Sequence, residues 1–247
     1  MTEPRLRSTR RGLTRLALAT LLLPALLIGP VVPAHGQQAA APSTVVYVPP
    51  DLGAPPTRTL AATRGLGSAP LVQVLAPEQT GLTQAAQPTL FWYLAGPATA
   101  RVEITLIDEQ AVDPLLELDF GAVKTPGIHA VDLAAYDVRL EPGRLYQWSI
   151  AQVVDPRQRS ADVVTSATLQ RREAGAELVK ALAAAGPAER LAALARHGYW
   201  YDLQAELEAQ IGAQPDAAPW RALRADLLAQ VGLDEIAEAA IEAPVVQ

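Results

Sequence analysis

The chain predicts a β sandwich followed by a small helical tail, and three observations carry that prediction. Between residues 71 and 169, short apolar runs alternate with polar residues at period two, with Pro, Gly and Asp turns between them. Inside this region, LEPGRLYQWSIAQVVDPRQRSAD at residues 140–162 reads as a turn, a buried strand, a polar loop and the start of another strand. From residue 171 onward Ala, Leu and Glu dominate and the period becomes helical.

The turn in that stretch is Glu141-Pro142-Gly143, where proline presets φ and glycine takes the left-handed position. Leu145, Gln147 and Ser149 then alternate with Tyr146, Trp148 and Ile150. Pro-Gly followed by Tyr-x-Trp-x-Ile is the pattern of immunoglobulin-like and fibronectin-type sandwiches, in which a tyrosine near a strand start ties its hydroxyl back to the preceding turn. Tyr146 is the residue expected to do so.

The first segment, residues 1–36, reads as an export signal. Arg5, Arg7, Arg10, Arg11 and Arg15 make a basic start, and residues 16–28 make an apolar run too short for a span of about 20 residues. Ala34-His35-Gly36 sets small residues where a signal peptidase reads, so cleavage is expected before Gln37. Thr9-Arg10-Arg11-Gly12-Leu13 is similar to a twin-arginine signal, which leaves that route and the general one both open. A retained anchor helix is the competing reading, although Pro24, Gly29 and Pro30 interrupt the run. The mature protein is thus expected in the periplasm or outside the cell, with no membrane span after cleavage.

Residues 37–70 are rich in Ala, Pro, Thr and Gly and read as a linker, although Thr44 to Val48 has strand character. The β domain is expected over 71–170. Strands fall at 71–76, 88–94, 101–107, 115–120, 128–133, 145–154 and 163–169, and 77–86 reads as a loop. The helical tail is expected over 171–247, with helices at 177–185, 189–197, 201–211, 219–231 and 235–241. Gly186-Pro187, Gly198, Gly212 and Gly232 punctuate them. Residues 189–207, with HGYWYDLQAEL, are similar to a tetratricopeptide-type hairpin, but only one and a half repeats are present.

Taken together, the chain resembles the exported, largely cyanobacterial family catalogued as domain of unknown function number 928. The likeness lies in residues 71–77, Gly81-Leu82-Thr83, 88–94, Thr125-Pro126-Gly127-Ile128, 140–148, 155–162, 198–203 and Val231-Gly232-Leu233, and it spans roughly 71–243. Members of that family often carry a cysteine just before the Asp-Pro, where this chain has Val154, so no disulfide carries over. The resemblance implies an exported sandwich with a helical tail, and no activity, ligand or catalytic residue.

Composition narrows the function classes. The 247 residues are half apolar, and the net charge of −6 lacks the basic excess of a nucleic-acid protein. The absence of cysteine excludes a disulfide framework and thiolate metal or redox sites. Three histidines, of which His129 and His197 follow the export segment, are too few for most His-based metal sites, so no metal or cofactor is expected. No phosphate-cradling glycine loop, His-Glu-x-x-His or nucleophile elbow occurs, and no catalytic residue is assigned.

Several clusters remain as candidates. Asp108, Glu109 and Asp113 bracket a hairpin and read as a charged turn or as an acid pair. Asp155, Arg157, Arg159 and Asp162 read as a recognition loop or as an internal ion-pair network. Phe91, Trp92, Tyr93, Tyr146 and Trp148 read as core or as a sugar platform. Tyr199, Trp200 and Tyr201 cannot all point inward on one helix, so at least one is expected half-exposed and marks a contact, unless the group packs against the sandwich. The expected function is a non-enzymatic binding or scaffold role in the cell envelope with a protein partner. An envelope or extracellular glycan is the alternative partner.

Overall fold

Among the described residues, the strand alternation read from the sequence builds two β-sheets, and the Ala/Leu/Glu-rich end builds five helices packed on them. The computed structural model describes residues 44–52, 58–60, 72–98, 100–214, 218–243 and 245–246. The segment 1–36, read as an export signal, and the cleavage expected before Gln37 lie outside the described residues.

The strands are β1 (Thr59–Leu60), β2 (Val72–Val74), β3 (Gly81–Thr83), β4 (Thr89–Leu94), β5 (Arg101–Asp108), β6 (Leu116–Asp119), β7 (Gly127–Asp132), β8 (Leu145–Val153), β9 (Val163–Arg171) and β10 (Val245–Val246). One sheet runs β1-β9-β8-β5-β6, with β3 also on β9, and the other runs β10-β7-β4-β2. The long ladders are antiparallel, and the short pairs β3–β9 and β10–β7 are parallel. The helices are α1 (Ala176–Ala184), α2 (Pro187–Arg196), α3 (Trp200–Ala213), α4 (Ala218–Gln230) and α5 (Asp234–Ala240).

Strand β5 shows why the period was readable. Val102, Ile104 and Leu106 are buried, and Arg101, Glu103 and Thr105 between them are only partly covered. Their cross-strand partners Gln152, Ile150 and Trp148 continue the pattern into β8. The expected tyrosine tie is present: the Tyr146 hydroxyl accepts the Glu141 N–H at 2.7 Å, closing the turn that precedes β8. Gly143 sits there at φ 79°, as the Pro-Gly reading requires.

The two sheets meet at β2, whose Gln73 side chain donates to Thr165 Oγ1 at 3.1 Å. Nearby, the Thr80 and Thr168 hydroxyls lie 2.8 Å apart. On the second sheet the His129 ring stacks on Trp92 with centroids 4.4 Å apart, and His129 Nε2 donates to the Thr125 carbonyl at 2.9 Å. Burial holds the His129 imidazole below its ordinary pKa, because charging it beneath an indole forfeits hydration.

The change of secondary structure near residue 171 is not a change of compact unit. One hydrophobic core runs from Val72 in β2 through Trp148 in β8 to Trp220 in α4, within a single unit at residues 38–247. Helix α3 lies against β3 and β4 and so touches both sheets. Gly198, at φ 77°, ends α2 and sends its carbonyl to the Leu82 N–H at 3.1 Å.

Residues 37–70 were read as a linker, and their described part corrects that reading. Val45 and Tyr47 are buried against the helices, and Val46 and Val48 face out. Tyr47 N–H donates to Gln230 Oε1, Gln230 Nε2 donates back to the Val45 carbonyl, and Val48 N–H donates to the Ala195 carbonyl. Arg58 then donates to the Ala76, Val231 and Gly232 carbonyls. Composition counts the apolar residues within the segment; it does not count a docking surface some 150 residues downstream.

Close packing at α3 gives a direct test. A Cβ on Gly81 would lie 2.9 Å from Tyr201 Cε2 and 3.2 Å from Trp200 Cβ, whereas one on Gly212, at the other end of α3, meets nothing within 4 Å. Gly81→Ala is expected to lower unfolding free energy by about 1–3 kcal/mol, as overpacking does. Gly212→Ala is expected to leave stability unchanged or raise it by up to about 1 kcal/mol. Urea midpoints of the two variants decide; equal midpoints would show that the contact at Gly81 is loose.

Candidate functional site

The candidate contact at Tyr199, Trp200 and Tyr201 is built into the core. Tyr199 precedes the helix, and its hydroxyl donates to the Glu173 carbonyl at 3.1 Å. Trp200 Nε1 donates to the Leu75 carbonyl at 2.9 Å. Tyr201, fully buried, accepts from Trp148 Nε1 at 3.0 Å and donates to the Thr168 carbonyl at 3.2 Å. Burial pushes the Tyr199 and Tyr201 hydroxyls above the ordinary tyrosine range. The expected half-exposed aromatic is therefore not there; the packing alternative is what forms. The helical argument counted faces of one helix, but Tyr199 lies outside the helix, and the start of α3 is wedged between two sheets and residues 44–50.

The loop after β8 is an ion-pair network. Arg159 Nε sits 2.8 Å from Asp162 Oδ2, and its Nη2 sits 2.6 Å from Glu103 Oε2, with Arg101 on Glu103 at 2.7 Å. These guanidinium groups hold the Glu103 carboxyl below the usual carboxylate range. Asp155 Oδ1 accepts the Arg157 N–H at 2.8 Å and shapes the turn. The Arg157 side chain is exposed and makes no ion pair among the described residues. At the β5–β6 hairpin, Asp108 accepts the Gln110 N–H and pairs with Arg144 Nε at 2.7 Å, so it holds the turn.

The structure opens a site the sequence did not single out. A groove of about 980 Å³ lies between α3 and the β4–β7 face. The sheet side carries Phe91 opposite Ala130 and Thr89 opposite Asp132. The helix side carries Ala205, Glu208, Ala209 and Gly212, which recur at i, i+3, i+4 and i+7 and so form one stripe. Three small residues in that stripe hold the helix surface back and leave the space open. Arg221, Glu242 and Tyr136, the last 42% exposed, complete the lining.

Glu208 connects the groove to the core. Its Oε2 pairs with Arg224 Nη1 at 3.0 Å, and Arg224 donates onward to the Ala240 and Ala243 carbonyls. Burial raises the Glu208 pKa and the Arg224 charge pulls it back down. The pair is nearly neutral as a unit, and it fixes α3, α4 and the end of α5 around the groove. The spacing of Ala205, Ala209 and Gly212 is the sequence signal available for this groove. No group of His, Asp or Glu side chains arranged for a metal occurs among the described residues.

A two-sheet β protein with a helical cover and an open, mixed-polarity groove is the class that this geometry defines. By its sequence the chain belongs to the family described as Domain of Unknown Function (DUF928), whose model matches residues 56–241. No curated protein matches the chain.

Asp202 supplies a pH signature for the α3 docking. Its carboxylate accepts the Gln84 N–H at 3.0 Å just after β3, and burial pushes its pKa up to about 6. The folded state therefore holds this proton over a range where the unfolded chain has released it, and stability falls as pH rises from about 4 to about 6. Asp202→Asn is expected to remove that slope. Because its outer edge meets solvent, the loss recovered is on the order of 1–2 kcal/mol. Denaturant titrations at pH 4 and pH 7 check this; an unchanged difference between the two would remove Asp202 as the cause.

Proposed function

We propose that the protein is an exported, non-enzymatic binding or scaffold protein of the cell envelope, and that the groove between α3 and β4–β7 takes an extended segment of a protein partner. The groove itself carries the reading. It is a concave site with an apolar floor at Phe91, Ala205 and Ala209 and a few polar groups at its edges, which is the usual make-up of a recognition site. Its open, elongated shape between a helix and a sheet suits holding a segment.

The register of β7 favours a peptide. Among the described residues β10 pairs with Ile128 and His129, and Ala130 and Asp132 come next along the same edge beside the groove. An extended segment laid there gains main-chain hydrogen bonds as an added strand, with alternate side chains entering the groove. The finer fold reading belongs here too: an immunoglobulin-like sandwich followed by a tetratricopeptide-like hairpin. The Tyr146 tie and the tight α2–Gly198–α3 turn support it. Export rests on the basic start and short apolar run of residues 1–36.

A glycan of the envelope is the second reading, favoured by one observation. Exposed Tyr136 lines the groove together with the carboxylates of Asp132 and Glu242, groups suited to a ring face and to hydroxyls. A photo-crosslinking residue replacing Tyr136 in the mature chain, irradiated in the native envelope fraction, separates the two. A discrete protein adduct that disappears when Ala209→Trp fills the groove, with melting temperature held, is the expected result. A polysaccharide adduct with the same dependence moves the assignment to glycan. Adducts indifferent to Ala209→Trp would reject the groove.

A further inference from the structure

The segment at residues 44–50, Thr-Val-Val-Tyr-Val-Pro-Pro, sits on the helices as a bound peptide sits on a receptor. It is extended, it buries Val45 and Tyr47, and it turns Val46 and Val48 outward. The Gln230 amide reads its backbone from both sides, accepting Tyr47 N–H at 2.8 Å and donating to the Val45 carbonyl at 2.8 Å. The Ala195 carbonyl accepts Val48 N–H at 3.0 Å, and the Tyr47 and Trp200 rings pack in a T-shaped arrangement with centroids 4.9 Å apart. Every receptor atom in this set lies within the family-matched residues 56–241, and the segment lies outside them.

The Tyr47 hydroxyl is buried and finds no hydrogen-bond partner among the described residues. The site therefore selects an aromatic ring and penalises the phenol oxygen, as a pocket shaped for phenylalanine does. Attachment in cis keeps the effective concentration of the segment at about the millimolar range, so its own contacts need not be optimal.

We infer that the cleft between the end of α2, the end of α4 and Trp200 is a second recognition site, distinct from the groove, for an extended peptide of another protein with a β-branched residue and an aromatic residue two positions later. Residues 44–50 fill it in cis as a displaceable strap. Recognition uses backbone through Gln230 and Ala195 and one ring through Trp200, so it tolerates any residue at the outward positions.

The test keeps the full mature chain and weakens the strap with Val45→Ala and Tyr47→Ala together. The probe is a fluorescein-labelled peptide Thr-Val-Val-Tyr-Val-Pro-Pro, followed by fluorescence anisotropy. Saturable binding is expected to the double variant, at least ten-fold weaker to the parent, and at least ten-fold weaker again when Gln230→Ala is added to the double variant. A peptide with Phe in place of Tyr is expected to bind about ten-fold tighter than the Tyr peptide, the cost of one buried unpaired hydroxyl. No saturable binding by a double variant with the parent's near-ultraviolet circular dichroism overturns the inference. Should that variant not fold, hydrogen exchange on the parent decides. Tyr47 and Val48 amides that open orders of magnitude faster than the Leu106 amide in β5 support a displaceable strap. Amides that open only as slowly as Leu106 make it an integral strand and overturn the inference.

Discussion

The contact on which the structure depends is the seating of Trp200 and Tyr201 between the sheets. Adjacent residues on a helix diverge by about 100°, so the two rings reach different walls. Trp200 reaches the Leu75 carbonyl after β2, and Tyr201 reaches Trp148 and Thr168 in β8 and β9. Each ring removes about 150–250 Å² from water, worth on the order of 4 kcal/mol by area alone. Each polar tip is also satisfied, so burial carries no unpaired donor. Several residues follow from that seat. Gly81 is small because both residues pass within contact distance of it, Asp202 receives the Gln84 N–H one residue later, and Gly198 turns the chain so that α3 enters at this point. The helical tail is thereby part of the core.

The Glu208–Arg224 pair answers a different question, which is how a groove stays open beside that core. An apolar pair at these positions would stabilise the packing as well or better, because a buried ion pair recovers little beyond its own desolvation. What the pair adds is direction. Arg224 spans from α3 to the Ala240 and Ala243 carbonyls, so the end of α5 is held at a fixed distance from α3. Ala205, Ala209 and Gly212 then leave a space that no neighbouring element can collapse into.

The sequence revealed elements that carry their own periodicity and concealed those whose partner is remote. The β5, β8 and β9 alternation, the five helices and the Tyr146 tie were legible, because each depends on residues a few positions away. Strand β3 was not; three residues beginning with glycine have no readable period, and the strand exists because β9 and α3 both lie on it. The ion-pair alternative for Arg159 and Asp162 was legible, but Glu103, the third member, lies more than fifty residues upstream. The groove was the least legible feature. Its helix wall is a stripe of small residues, which in sequence looks like any closely packed helix, and its sheet wall is decided by register between β4 and β7.

The strap at residues 44–50 and the sheet are coupled through Gly198, and the coupling has a sign. A Cβ there would meet Pro50 Cδ at 2.9 Å and the Val48 carbonyl at 3.1 Å, while the Gly198 carbonyl already accepts Leu82 N–H from β3. The strap, the α2–α3 turn and β3 are thus three layers around one residue with no side chain. Whatever occupies the strap position presses on the turn that aims Trp200 and Tyr201 into the core. In the occupied site Val48 and Pro50 pack on that turn and the Tyr47 ring packs on Trp200. By linkage, anything that favours the seated Trp200 tightens the strap site by the same factor, and a ligand in that site stabilises the whole unit. The position therefore cannot stand empty without cost to the fold, which is a physical reason for the chain to carry an occupant of its own.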